Sequence, residues 1–224
     1  AATYGLVISG KLLNTEQCSP HSLKKSWKRM LNRMGMPVIR QACLQIMRSL
    51  GQQFVMGQDI TSSIKRATKA ELKHYRYSYD MLGETALTQA DADKYFNAYC
   101  NAIQALSLPN SNKKLIERPG ISIKLSAIFP RFDFNNQDKA ITVLTDRVLE
   151  LCCLAKAGEI SLTIDAEEIA CKNMTLSIFE NVIRDPKIMG WNGLGIAIQA
   201  YHKSAYNTIN WLIQLAEICN TQIL

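Results

Sequence analysis

Leu162-Thr163-Ile164-Asp165 reads large, small, large, polar, and the same order recurs in Tyr77-Ser78-Tyr79-Asp80, Ile121-Ser122-Ile123-Lys124 and Ile196-Ala197-Ile198-Gln199. Side chains along a β-strand alternate between faces, so each tetrapeptide places its two large residues on one side and its small and polar residues on the other. Read this way, the chain predicts four strands with one apolar face each. Asp80, Lys124, Asp165 and Gln199 then stand at one level near the carboxyl ends of those strands.

Between the strands lie stretches with apolar residues at helical spacing. Ala92, Tyr95, Phe96, Tyr99 and Ile103 follow a Thr88 cap; Ile141, Leu144, Val148, Leu151 and Ala155 form a second set. Leu176, Phe179, Val182 and Ile183 form a third, before Asp185-Pro186, and Tyr206, Ile209, Leu212, Ile213 and Ala216 a fourth. Strand and helix alternate four times, and Gln222-Ile223-Leu224 has the look of a fifth strand's start. Such alternation implies a parallel sheet with right-handed crossovers. In a doubly wound sheet the strands are covered on both sides and read as continuous apolar runs; these do not. A (β/α)8 barrel accounts for one large face against the helices and one small-then-polar face turned inward. The polar positions are 44, 41 and 34 residues apart, and eight such units need about 250 residues or more. The sequence therefore predicts an α/β chain with a (β/α)8 barrel truncated after about four units, over residues 58–224, preceded by a basic helical arm over residues 1–57. Gly193-Leu194-Gly195 falls short of a dinucleotide-binding fingerprint and reads as a turn before its strand.

The charge is uneven. Residues 1–79 hold 13 Lys/Arg against Glu16, Asp59 and Glu71, whereas residues 80–224 hold 13 Lys/Arg against 16 Asp/Glu. Within the basic part, Leu23, Trp27, Met30, Leu31 and Met34 repeat at helical spacing, with Lys24, Lys25, Lys28, Arg29 and Arg33 mostly off the stripe. This is an amphipathic basic helix, suited to packing, to an anionic membrane surface or to nucleic acid. A second helix is expected from Pro37 to about Phe54 and a third from Asp59 or Thr61 through Leu72. The full chain of 224 residues, 47% hydrophobic and 20% charged, has the composition of a folded domain rather than of a disordered or collagen-like one. It contains no apolar run long enough to span a bilayer and no basic leader at its start, so it reads as cytoplasmic. Seven cysteines without a Cys-x-x-Cys pair, beside three histidines, predict reduced thiols and no zinc site.

The strand-end residues are where chemistry would sit: two carboxylates, an ammonium and a carboxamide converging on one pocket. Lys124 is either a cation for an anionic substrate group, a Schiff-base amine, or a structural partner of Asp80 or Asp165. Asp165 is either a site carboxylate or a partner for a loop donor. Gln199 either presents its amide to a ligand with donor and acceptor edges or bonds the backbone. Asp165-Ala166-Glu167-Glu168 gathers three acids in four residues, but apart from Glu84 no acids follow the other strands to complete a cation site, so no metal is expected. Two further classes stay open: a class I aldolase-like lyase acting through Lys124, and a non-catalytic DNA-binding module built on the basic segment.

Tyr75-Arg-Tyr-Ser-Tyr-Asp-Met-Leu-Gly-Glu84, Gly120-Ile-Ser-Ile-Lys-Leu-Ser-Ala127 with Pro130-Arg131, Ile164-Asp-Ala-Glu-Glu168, and Gly190-Trp-Asn-Gly-Leu-Gly195 with Ile198-Gln-Ala-Tyr201 closely resemble the proline dehydrogenase domain of bacterial bifunctional proline utilization flavoproteins. The resemblance runs from about residue 50 to residue 224, four strand motifs in order. It implies an FAD-dependent enzyme that oxidises L-proline to Δ1-pyrroline-5-carboxylate and passes electrons to a membrane quinone. By that resemblance Lys124 and Asp165 are catalytic, with Lys124, Asp80 and Met81 binding substrate and Glu84 belonging to an ion-pair gate. Asp165, Ala166, Ala197 and Gln199 would contact the cofactor. An aldehyde dehydrogenase domain is implied elsewhere in a parent chain, peripheral association at the inner membrane face is possible, and DNA is a partner only if the parent carries a separate DNA-binding domain. The arginine-bearing segment of the family's fifth strand and the Arg-Arg pair of its eighth helix have no counterpart here, so the chain is expected to be a fragment, inactive alone.

Overall fold

The structure, a computed structural model, describes residues 40–224 apart from 42, 52, 70–73 and 108–111. The chain divides into two compact units between Arg66 and Ala67. The expected amphipathic helix over residues 22–34 lies outside the described residues, as do Cys18 and Leu72. In the first unit, residues 43–51 are helical, as the reading from Pro37 onward predicts for this part. Helix α1, Ile60–Ala67, starts where Asp59 Oδ1 accepts from the Ser62 amide at 2.7 Å and the Ser62 hydroxyl accepts in return from the Asp59 amide at 3.2 Å. Those bonds hold the Asp59 carboxyl below its ordinary range, and they satisfy donors a helix start leaves open. Gly57 precedes this turn because a Cβ there would lie 2.5 Å from Ser62 Oγ and 2.7 Å from the Ser63 amide.

The second unit alternates strand and helix as the sequence predicts. Strands β1 (Ser78–Tyr79), β2 (Gly120–Ile123), β3 (Ser161–Ile164) and β4 (Leu194–Ile196) form one sheet in that order, every pair parallel. Helix α2 (Gln89–Leu106) follows β1; α3 (Leu125–Ile128) and α4 (Gln137–Ala157) follow β2; α5 (Lys172–Ile183) follows β3; α6 (Ala205–Ile218) follows β4. Thr88 caps α2 reciprocally with Asp91: Thr88 Oγ1 accepts from the Asp91 amide, and Asp91 Oδ2 accepts from the Thr88 amide at 2.9 Å.

The large strand residues Ile121, Ile123, Leu162, Ile164, Leu194 and Ile196 are buried, together with Tyr99 and Ile103 of α2, Leu144, Val148 and Leu151 of α4, and Ile178, Phe179 and Val182 of α5. This one-sided core between sheet and outer helices is that of a (β/α)8-type barrel, of which four strands are present. At the amino ends of the strands, buried Arg118 pairs with Glu159 and donates to its carbonyl at 3.2 Å, fastening the turn before β2 to the turn before β3.

Three expectations are corrected. The polar residues do not share one level. Tyr79 pairs with Ile121 and Ile123 with Ile164, which in turn pairs with Ile196. Asp80 is therefore level with Ser122, two residues below Lys124; Lys124, Asp165 and Ala197 are level; and Gln199 lies two residues beyond Ala197. Even-numbered offsets keep the face and change the height, the stagger that strands acquire when a sheet curls toward a barrel. The last strand also begins earlier than read, with Leu194 and Gly195 inside it. Gly195 is glycine because a Cβ there would lie 2.9 Å from both the carbonyl oxygen and Cβ of Leu224 and 3.0 Å from Thr163 Oγ1, a close approach of neighbouring backbones rather than a turn. Finally, α3 was not foreseen, because four residues carry no periodicity. Leu224 does extend the ladder, its amide donating to Leu194 O and its carbonyl accepting from the Ile196 amide, both at 3.1 Å.

Candidate active site at the carboxyl ends of the strands

Lys124 follows β2 directly, and its side chain projects on the small-residue face. Its Nζ lies 2.7 Å from Asp80 Oδ1, 3.0 Å from Glu84 Oε1 and 3.1 Å from Asp165 Oδ2, so each of its three N–H donors has a carboxylate to meet. Partial burial pulls the ammonium's ionisation down, but the hydrogen bonds to Asp80, Glu84 and Asp165 outweigh it and hold Lys124 well above the usual lysine range. The three acids differ in exposure: the Glu84 side chain is 2% exposed, Asp165 22% and Asp80 37%.

Tyr99, wholly buried on α2, reaches the same point from behind. Its hydroxyl accepts from the Lys124 amide at 3.1 Å and donates to Glu84 Oε1 at 3.4 Å. Burial, above all, raises its phenol, opposed by the Lys124 amide and reinforced by the nearby carboxylates, so it stays a neutral donor. Glu84 Oε2 is buried with no hydrogen-bond partner among the described residues. Three carboxylates facing one ammonium leave the cluster short of positive charge.

A second set of contacts ties the loops together. Glu167 Oε1 accepts from the Ser126 amide in α3 at 3.1 Å, and the Glu167 carbonyl accepts from Gln199 Nε2 at 2.9 Å. Tyr201 donates to Gln199 Oε1 at 2.8 Å. The structure thus unites Asp80, Glu84, Lys124 and Asp165, with Met81 half-buried beside Asp80, while Gln199 is held by Glu167 and Tyr201 instead. Both structural alternatives weighed for Lys124 are realised at once, and so is the backbone bond for Gln199. Half-buried Ala166, exposed Ala197 and Gln199 line a small open cleft with Glu167, Lys172 and His202, from which the Lys124 cluster is absent.

Tyr99 and Glu167 escaped the sequence reading. Tyr99 is one apolar-stripe residue among several. Glu167 sits in an acidic run that suggested a cation site, yet its carboxylate caps a backbone amide, and no group of His, Cys, Asp and Glu able to hold a metal occurs among the described residues.

A parallel barrel sheet with its charged residues at the carboxyl strand ends is the arrangement of (β/α)8-barrel enzymes. Residues 63–224 match the family model described as proline dehydrogenase. The chain belongs to the proline dehydrogenase family. Residues 1–54 match a second model, described as the DNA-binding domain of proline dehydrogenase. The bifunctional protein PutA of Escherichia coli is 42% identical over 216 residues, 96% of this chain and 16% of its own length. The PutA of Rhizobium meliloti is 40% identical over 224 residues, all of this chain and 18% of the relative. The chain thus corresponds to less than a fifth of these relatives. Proline dehydrogenase 1 of Bacillus subtilis is 28% identical over 150 residues. A crystal structure of a Bradyrhizobium japonicum proline utilization A variant superposes with a TM-score of 0.71 at 39% identity, covering 88% of this chain and 20% of that one.

Proposed function

We propose that this chain forms part of the active site of an FAD-dependent enzyme that oxidises L-proline to Δ1-pyrroline-5-carboxylate, acting on the CH–NH bond and passing electrons to a membrane quinone. The observation that carries the reading is the Lys124 cluster at the barrel's carboxyl end in a chain of the proline dehydrogenase family.

The residues present fit a flavin. Gln199 has one N–H and one carbonyl lone pair left after its bonds to Glu167 and Tyr201, a match for an edge that alternates donor and acceptor. Ala166 and Ala197, small side chains at the carboxyl ends of β3 and β4, leave room for a flat ring. Asp165, Ala166, Ala197 and Gln199 would hold FAD. When bound, FAD supplies the acceptor for the hydride that leaves C5 of proline. Lys124 orients the substrate by its carboxylate. Because all its donors are engaged, that carboxylate takes the place of an acid, and Asp80, the most exposed of the three, gives way at least cost. Met81 packs on the substrate side, and Glu84, with one oxygen unsatisfied, serves as the acid of a gate whose cation comes from beyond these residues.

An absorption spectrum of the full-length protein tests the reading. A flavin band that bleaches when proline is added without oxygen is expected; a colourless protein that takes up no FAD overturns it. The lyase alternative needs a neutral amine at position 124, whereas three carboxylates keep Lys124 charged, and failure of borohydride to trap a carbonyl substrate on Lys124 is the expected result.

A second reading concerns the first 54 residues, where the model match and the excess of Lys/Arg over acids both favour contact with DNA. The sequence alone allowed a DNA-binding module on the basic segment and otherwise made DNA a partner only through a separate domain of the parent; the match over residues 1–54 supports the first. Binding that weakens steeply with salt is expected, and binding indifferent to salt refutes it. No helix among the described residues is long and apolar enough to cross a membrane. A cytoplasmic protein that meets its quinone at the inner membrane face is proposed from the family resemblance and the basic amphipathic stretch over residues 22–34.

A further inference from the structure

We infer that Glu167 is a positioning residue that sets the orientation of the Gln199 carboxamide, and with it the fit of the cofactor edge. The inference rests on the reading of the strand ends as a flavin site.

Glu167 touches two neighbouring loops with two different groups. Its carboxylate accepts from the Ser126 amide, 41 residues earlier in α3 after β2, and its own backbone carbonyl accepts from Gln199 Nε2, 32 residues later after β4. The side-chain bond satisfies an amide that the first turn of α3 leaves without a helical partner, and it fixes the height of the loop that carries the carbonyl. The carbonyl then decides which end of the amide group is which: the NH2 must face Glu167, and the oxygen must face the Tyr201 hydroxyl. A flipped amide would set its oxygen against the Glu167 carbonyl, acceptor against acceptor, while the Tyr201 hydroxyl, able to donate or accept, follows whichever end it meets. The one N–H and one lone pair left over are therefore presented in a fixed order. Glu167 itself needs no contact with the cofactor.

Two substitutions separate this role from bulk stability. Glu167→Gln keeps an oxygen that accepts from Ser126, and Glu167→Ala removes it. In the full-length protein, Glu167→Ala should weaken FAD binding about tenfold, the ratio a lost charge-assisted hydrogen bond produces, and should shift the visible flavin band and the flavin's reduction potential. Glu167→Gln should restore all three to about wild-type values. Hydrogen exchange of the Ser126 amide, measured with FAD stripped, should be faster in Glu167→Ala and unchanged in Glu167→Gln. An Ala variant with wild-type band, potential and affinity overturns the inference, and so does a Gln variant as impaired as the Ala variant. Should Glu167→Ala fail to fold, Glu167→Asp decides: its carboxylate is one methylene too short for the Ser126 amide now bonded to Glu167 Oε1, so faster Ser126 exchange with a shifted flavin band is expected, and faster exchange with an unmoved band would refute the orientation argument. A wild-type protein without flavin would sink the functional reading instead, leaving Ser126 exchange to judge the strap on its own.

Discussion

Replacing Lys124 by Met isolates what the buried Glu84 carboxylate needs. The ammonium's loss strands three acids, but Asp80 and Asp165, 37% and 22% exposed, regain water, whereas Glu84 at 2% does not. Removing one partner of a buried pair costs about 3–5 kcal/mol when the survivor stays charged. Without the ammonium, Glu84 keeps only the Tyr99 hydroxyl as a hydrogen-bond partner among the described residues, at 3.4 Å from Oε1, and its Oε2 has none. The expectation is a variant about 3–5 kcal/mol less stable than wild type at pH 7. Lys124's own contribution is complete below the ordinary lysine value of 10.5 and fades only as pH climbs through the higher folded value. Adding Glu84→Gln should recover at least half of the loss. Calorimetry of the full-length protein measures this. A single variant as stable as wild type, or a double variant no better than the single, would refute the reasoning.

Four further outcomes are expected. Lys124→Ala should raise the KM for proline about 10- to 100-fold, from loss of a charge-assisted contact of about 1.5–3 kcal/mol, with flavin content retained; unchanged KM and kcat contradict the assignment. Thr88→Ala should destabilise the second unit by about 1 kcal/mol through loss of the α2 cap, seen as earlier melting of helical circular dichroism. The Asp91 half of that cap is lowered in ionisation by Thr88, so its contribution is present above the ordinary value of 3.8 and is lost as pH falls through the lower folded value; an acid melt of Asp91→Asn that matched wild type would count against it. The 224-residue chain expressed alone, with half the cavity wall, should hold FAD poorly and be inactive on proline; a yellow, active monomer from gel filtration would prove this wrong.

Much of the second unit was legible because two periodicities are hard to confuse. Ile121/Ile123 and Leu162/Ile164 declare a strand face, and Leu144, Val148, Leu151 and Ala155 declare a helix stripe. Thr88 announced its helix, though its partner Asp91 did not stand out. The site was legible as a set, since alternation alone puts Asp80, Lys124 and Asp165 on one face. Their heights were not, because stagger between strands arises from curvature of the whole sheet and leaves no mark in a tetrapeptide. Gly195 misled for a related reason: glycine that makes room for a neighbouring strand looks the same in sequence as glycine that makes a turn. Glu167 and Tyr99 act through backbone amides of distant residues, a kind of pairing that carries no residue-type signature.

The offset between β1 and β2 makes the length of the side chain at position 124 a mechanical requirement. Asp80 is two residues lower than Lys124 while Asp165 is level with it, a drop of about 6.6 Å along the strand at 3.3 Å per residue. Only a long, unbranched chain can lean down that step and still offer a proton to the level neighbour. Lys124 is thus a strut braced between strands of unequal height, and shortening it would break the descending contact to Asp80 before the level one to Asp165.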